Sequence, residues 1–126
     1  MFEVQHLDHV ALRVSDVAAS ANWYREVLGM KPAFEGMWDG VPTMLALGPS
    51  MIALFPTREQ DPDAVPSRLR MDHFAFRVDG ENFEKAQQEL PERGVPVEYA
   101  DHRASRSIYF HDPDGHQVEI TTYDPA

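Results

Sequence analysis

Cysteine is absent from this chain of 126 residues, and basic residues are scarce, with 11 Lys and Arg against 21 Asp and Glu. Without cysteine the protein has no disulfide, no thiolate metal site and no cysteine nucleophile. The formal net charge of -10 disfavours nucleic acid and an anionic membrane surface as partners, because both repel an acidic protein. A small-molecule substrate is therefore the expected partner.

Long apolar runs are also missing. No stretch approaches the roughly 18 apolar residues of a membrane-spanning helix, and the segment from Met1 to Asp8 is too polar and acidic for a secretory signal. We therefore expect a soluble cytoplasmic protein. Apolar residues make up 43% of the chain, which is enough to form the core of one domain of this length.

The chain contains an internal repeat. Residues Leu7 to Val14 read LDHVALRV, and half a chain length later Met71 to Val78 read MDHFAFRV. Each copy is followed by a helical pattern, so the domain is predicted to consist of two similar supersecondary units.

The two helices carry recognisable boundaries. Asp16 is a good N-cap for the first helix, and Gly29 ends it. In the second half, apolar residues recur at helical spacing from Phe83 to Leu90, and Pro91 with Gly94 is expected to close that helix.

Beyond each helix the apolar period falls to two, which predicts strands. The predicted strands cover Thr43 to Leu47, Met51 to Phe55, Val95 to Tyr99, Arg106 to His111 and Gln117 to Thr122. Each half therefore reads strand, helix, then about three strands. The proline-rich segment 57–70 is interpreted as a linker between the halves.

Alternation along the strands predicts which side chains share a face. The apolar residues of both repeats form one row, which leaves polar residues on the second face. These polar residues are His9, Arg13, His73, Arg77, Ser107, Tyr109, Gln117, Glu119 and Thr121. Such a face must be solvated, internally paired or bound to a ligand, because unpaired polar burial is costly.

Two imidazoles and one carboxylate on this face suggest a metal site. His9, His73 and Glu119 form the ligand set that non-haem Fe(II) favours, and Mn, Co, Ni or Zn also accept it. The alternative is that both histidines are ordinary half-buried residues and Glu119 is solvated. Histidine at the same place in both repeats favours the metal.

Further residues are candidates for substrate binding. Met51 and Phe55 are predicted to form an apolar wall with Trp38, unless the first two belong to the core. Arg13 and Arg77 are candidates for holding a substrate anion, although each could instead pair with a nearby acid.

The sequence resembles the vicinal oxygen chelate superfamily over residues 5 to 123. This superfamily includes glyoxalase I, extradiol dioxygenases, fosfomycin resistance enzymes and bleomycin resistance proteins. The resemblance rests on the two Asp-His segments, on Trp23 to Gly29 and on Tyr109 to Glu119. It implies an α+β fold with two βαβββ modules, at about 5–56 and 71–123, whose mixed sheets curl around a metal cleft within a single domain of residues 1–126.

The resemblance also implies the ligands His9, His73 and Glu119, and it makes a homodimer the expected assembly, with the site formed within one chain or shared between two. Tyr109 is similar to the active-site tyrosine of extradiol dioxygenases, which orients a metal-bound oxygen. Ser107 and Gln117 are expected to donate hydrogen bonds.

The resemblance leaves several reactions open. The first expectation is an Fe(II)-dependent extradiol-type dioxygenase acting on a substrate with vicinal oxygens. However, no histidine lies between His9 and His73, where those enzymes carry an acid-base residue; His102 is a substitute unless it is simply an exposed loop residue. The alternatives are a Lewis-acid isomerase of the glyoxalase type, an epoxide-opening enzyme of the fosfomycin type, and a non-catalytic protein that sequesters a drug or ligand.

The sequence departs from the pattern of two of these enzyme types at identifiable positions. Glyoxalase I usually supplies a further carboxylate where Ala53 stands. The strand from Arg106 to Phe110 is similar to the phosphonate-binding strand of fosfomycin enzymes. Ala11 replaces a threonine typical of their thiol-transferring members, and the sequence ends at Ala126, before their C-terminal basic residues.

Overall fold

The computed structural model describes residues 1, 3, 5–58 and 71–126. Most of the predicted linker at 57–70 lies outside the described residues. The chain divides into two compact units, Met1–Pro62 and Asp63–Ala126, which we call the N-terminal and C-terminal units.

The two units repeat one order of elements. The N-terminal unit contains β1 (His9–Val14), α1 (Val17–Leu28), β2 (Lys31–Ala33), β3 (Thr43–Leu47) and β4 (Ser50–Pro56). The C-terminal unit contains β5 (Phe74–Arg77), α2 (Gly80–Glu92), β6 (Glu98–Asp101), β7 (Arg106–His111) and β8 (Gln117–Thr122).

Each unit forms a four-stranded mixed sheet with the same topology. The strand orders are β1-β4-β3-β2 and β5-β8-β7-β6. In each sheet the first strand pairs in parallel with the last, and the other pairs are antiparallel. The predicted α+β fold with a duplicated βαβββ arrangement is confirmed.

Local sequence signals explain the helix boundaries. The Asp16 side chain accepts a hydrogen bond from the backbone N–H of Ala19, and Gly29 ends α1 with a positive φ of 71°. Asp79 caps α2 in the same way, by accepting from the backbone N–H of Asn82. Gly94, with a positive φ of 81°, follows the end of α2 as expected, whereas Pro91 lies within the last helical turn and the chain leaves the helix at Arg93.

Two strands differ from the sequence-based expectation. The strand expected at Val95 to Tyr99 begins only at Glu98, since Pro96 has no N–H to give to a strand ladder. Only two strands were located in the first half after its helix, and β2 supplies the third. No helix in the described segments is long and apolar enough to cross a membrane.

The apolar rows of the strands pack under the helices as alternation predicts. In the N-terminal unit, Val14, Tyr24 and Leu54 are fully buried. In the C-terminal unit, Phe83 and Ile108 are likewise buried. The opposite face of the C-terminal sheet carries Ser107, Tyr109 and Glu119. The opposite face of the N-terminal sheet carries His9 and Arg13 beside the apolar Met51 and Phe55.

Candidate metal centre

Both Asp-His segments have the same local geometry. His9 Nδ1 lies 2.9 Å from a carboxylate oxygen of Asp8, and His73 Nδ1 lies 2.5 Å from the corresponding oxygen of Asp72. A carboxylate on Nδ1 fixes the tautomer and orientation of an imidazole, and it leaves Nε2 as the ligating nitrogen. In both copies of the repeat, the preceding aspartate therefore orients the histidine and leaves its Nε2 available to bind a metal.

In the C-terminal unit, His73 meets Glu119. Because β5 pairs with β8 in parallel, Ala75 lies opposite Glu119, and His73 is two residues before Ala75 on the same face. His73 Nε2 is 2.8 Å from Glu119 Oε1. Two of the three predicted ligands thus point their donor atoms at one another.

The other oxygen of Glu119 is held by Ser107. The hydroxyl of this fully buried serine donates to Glu119 Oε2 at 2.6 Å. Thr121 Oγ1 lies 3.0 Å from the serine oxygen and donates onward to the backbone carbonyl of Arg106. Ser107, Glu119 and Thr121 are all buried, so this part of the polar face is satisfied by internal pairing.

Tyr109 borders the same cluster. It pairs directly with Glu119 across β7 and β8, and its ring meets the His73 ring edge to face at 5.5 Å between centroids. The loop residue His102 places Nε2 2.9 Å from the Tyr109 hydroxyl. His102 is thus an exposed loop residue, as one of the two expectations has it, and it also makes a specific contact with Tyr109.

The carboxylates around the cluster shift two pKa values. The hydrogen bond to Asp72, followed by the charge of Glu119, raises the pKa of His73 despite an opposing desolvation effect. Desolvation and the charge of Glu119 raise the pKa of Tyr109, so the phenol keeps its proton at neutral pH. His73 between two carboxylates is thus an environment that favours a cation.

We expect the pKa of His73 in the metal-free protein to lie above its ordinary value of 6.5. Because the folded-state pKa is the higher one, the ion pair stabilises the fold fully below the unfolded pKa, and this contribution is lost as pH rises through the folded pKa. Titration of the imidazole ring protons by NMR measures the shift. Asp72→Asn should lower the pKa; an unchanged pKa would contradict the assigned cause.

Replacement of Ser107 tests the support of Glu119. Ser107→Ala removes the hydrogen bond that orients the carboxylate, and we expect metal affinity to fall about tenfold, as for other groups that orient ligands. Calorimetric titration with Mn²⁺ measures the change, with Ser50→Ala as the control because Ser50 is exposed. Equal affinity in both variants would show that Ser107 has no part in the centre.

The arginines of the polar face stack on aromatic rings. Arg13 lies over the Phe55 ring at 4.9 Å and donates to the backbone carbonyl of Pro56. Arg77 lies over the Tyr123 ring at 4.6 Å. These contacts fix both guanidinium groups in place. Their role in holding a substrate anion stays a prediction.

The other predicted substrate residues occupy different settings. Met51 is the register partner of His9 and is half-buried, as is Phe55. Trp38 lies in a short 3-10 helix, half exposed, with its ring 5.6 Å from that of Phe34. Gln117 is half-buried on β8, two residues before Glu119 and on the same face.

Arg106 does not belong to this face. Its guanidinium lies over the Phe83 ring at 4.9 Å and donates to Glu84 at 2.9 Å, on the side of the sheet that packs against α2. The strand that resembles a phosphonate-binding strand therefore offers Ser107 and Tyr109 toward the cluster, but not its arginine.

The donor set of the C-terminal unit fits a divalent cation. Asp72 contacts Nδ1 of His73, and Ser107 donates to Oε2 of Glu119. The remaining donor atoms, His73 Nε2 and Glu119 Oε1, converge. A cation would replace the proton that His73 shares with Glu119. Within the described residues, no group of three His, Asp or Glu side chains is arranged to hold a metal ion. His9, which belongs to the N-terminal unit, stays a predicted third ligand.

Comparison with known proteins identifies the family. Residues 6–120 match the model of the Glyoxalase/Bleomycin resistance protein/Dioxygenase superfamily. The chain belongs to this superfamily. Within it, a crystal structure of a glyoxalase/dioxygenase from Nostoc punctiforme has a TM-score of 0.79 and 25% identity, covering 96% of this chain and 92% of that one.

Two curated relatives of the chain are named as transferases. The chain is 33% identical to the metallothiol transferase FosB of Staphylococcus saprophyticus over 94% of this chain and 78% of the relative. It is 32% identical to the glutathione transferase FosA of Serratia marcescens over 93% of this chain and 80% of the relative. These similarities favour the fosfomycin-type alternative over the Fe(II) dioxygenase that sequence analysis placed first.

Proposed function

We propose that this protein is a divalent-metal-dependent enzyme that opens a small epoxide of the fosfomycin type with a thiol or water. The convergence of His73 Nε2 and Glu119 Oε1 beside Tyr109 is the observation that carries the proposal. Similarity to metallothiol transferase FosB and glutathione transferase FosA supports this reaction class. The proposed ligands are His9, His73 and Glu119.

Metal binding would supply Lewis-acid chemistry, by polarising the epoxide oxygen as negative charge develops. The chain's own groups then bind and orient. The pKa of Tyr109 is raised by desolvation and by Glu119, so its hydroxyl keeps its proton, and we assign it to donate to the oxygen that gains charge. Ser107 serves this chemistry indirectly, because its proton is committed to Glu119.

Recognition of the substrate anion is assigned to the arginines of the polar face. Arg77 is held over Tyr123, and Arg13 is held over Phe55. A guanidinium whose orientation is set by stacking loses less freedom when it pairs with an anion. Gln117, Met51, Phe55 and Trp38 are proposed to shape the remainder of the substrate site.

The activity assay uses protein loaded with Mn²⁺ and incubated with fosfomycin and glutathione, with cysteine, or with no thiol. We expect a new phosphorus resonance in the ³¹P NMR spectrum, which is lost with a chelator and in Glu119→Ala. Glu89→Ala is the control, since it also removes one carboxylate, from an exposed position on α2.

Three outcomes separate the alternatives. Stoichiometric metal without conversion of the phosphonate under any of these conditions would overturn the proposal. O₂ consumption with catechols by the Fe(II) protein would return the assignment to a dioxygenase. Tight ligand binding that neither leads to turnover nor responds to chelator would indicate a sequestering protein.

We also propose a homodimer, as is common for the short members that this chain resembles. Light scattering during gel filtration measures the mass. Mixing inactive His9→Ala and Glu119→Ala chains then tests whether ligands come from two subunits, because recovered activity requires a site shared between chains.

A further inference from the structure

The loop between β6 and β7 holds His102 against Tyr109. His102 Nε2 lies 2.9 Å from the Tyr109 hydroxyl, and the two rings are nearly perpendicular at 87°. The loop is closed by its own hydrogen bonds, from the backbone N–H of His102 to the carbonyl of Ser105 and from that of Arg103 to the Asp101 carboxylate. The loop conformation that brings His102 to Tyr109 is therefore held by hydrogen bonds within the loop.

The direction of this hydrogen bond depends on where the single proton of the Tyr109 hydroxyl points. A tyrosine hydroxyl has one proton to donate and can accept two hydrogen bonds, whereas an ionised carboxylate only accepts. Tyr109 faces Glu119 across the strand pair on one side and His102 on the other. A hydroxyl proton directed toward Glu119 leaves the oxygen of Tyr109 to accept, and His102 then donates through Nε2–H.

We propose that His102 is a positioning residue for Tyr109. By donating to the hydroxyl oxygen, it turns the single proton of Tyr109 toward Glu119 and the proposed reaction site. The edge contact of the Tyr109 ring with His73 restrains the ring from the other side. The kinetic part of this inference rests on the proposed function, while the pairing itself does not.

Kinetics of His102 variants test the donor role. His102→Gln places an amide N–H where Nε2–H lies, whereas the shorter His102→Asn and the truncated His102→Ala do not reach Tyr109. We expect Asn and Ala to lower kcat about tenfold, the effect of one hydrogen bond, with KM changed less than about twofold. Gln should restore most of kcat. Equal losses in Gln and Ala, or no loss in Ala, would overturn the donor role.

A double-mutant cycle shows whether the effect passes through Tyr109. In a Tyr109→Phe background, His102→Ala should lower kcat no further, because the hydroxyl that it positions is gone. An additional tenfold loss in that background would show that His102 acts by another route and would overturn the inference.

An independent measurement does not need turnover. Long-range ¹H–¹⁵N spectra of the metal-free protein should show neutral His102 almost wholly as the Nε2–H tautomer, and Tyr109→Phe should return it to the mixture of both tautomers that a free histidine shows. If wild-type protein converts no phosphonate, the proposed function fails and the tautomer still decides the pairing. An Nδ1–H tautomer in wild type would overturn it.

Discussion

Replacing His73 or Glu119 with alanine is expected to weaken Mn²⁺ binding by more than about a hundredfold, beyond the loss typical of outer groups that orient ligands. Each substitution removes one of the two donor atoms that converge at 2.8 Å. Metal content after dialysis and calorimetric titration measure the loss. His9→Ala should have an effect of the same order, since Asp8 orients the His9 imidazole as Asp72 orients that of His73.

The control for this set is Glu89→Ala, which removes a carboxylate from an exposed position on α2. Thermal unfolding of each variant shows whether the fold is intact, because Glu119→Ala also takes a buried acceptor from Ser107. Stoichiometric metal in the His73 and Glu119 variants would refute the centre. Retained affinity in His9→Ala alone would remove only the third ligand.

The second large effect is expected on turnover. Tyr109→Phe should lower kcat about a hundredfold, because it removes one hydrogen-bond donor aimed at a developing charge, and metal content should be unchanged. Steady-state kinetics with fosfomycin measure kcat and KM separately.

Tyr99→Phe is the matched control for this variant. Tyr99 lies on β6 with about half of its surface exposed and packs edge to face against Phe83 through its ring, which phenylalanine retains. Its kcat should stay within twofold of wild type. A comparable kcat in the Tyr109 and Tyr99 variants would exclude Tyr109 as a donor to the substrate.

Much of the fold was predictable because its signals are local. The caps at Asp16 and Gly29 lie within a few residues of the helix that they delimit. The strand from Arg106 to His111 was expected with its observed bounds, because alternation is visible within one segment. Pro91 is a local signal that misled by one residue, because α2 continues past it to Glu92.

The site was predictable in part. Alternation placed His73, Ser107, Tyr109 and Glu119 on one face, and the structure joins them in one cluster. The roles of Asp8 and Asp72 were missed, although the repeated Asp-His pair was visible. The contact of His102 with Tyr109 carried no equivalent signal, because a loop conformation brings them together.

The sequence by itself determined the duplication, the alternating faces and the residue types available for a metal, since each is a property of periodicity or of neighbouring positions. Only the tertiary structure decided which atoms meet. Parallel pairing of β5 with β8 brings His73 to Glu119, and antiparallel pairing of β7 with β8 brings Ser107 and Tyr109 to the same carboxylate. Register between strands distant in sequence is set by packing of the whole sheet, which no short segment encodes.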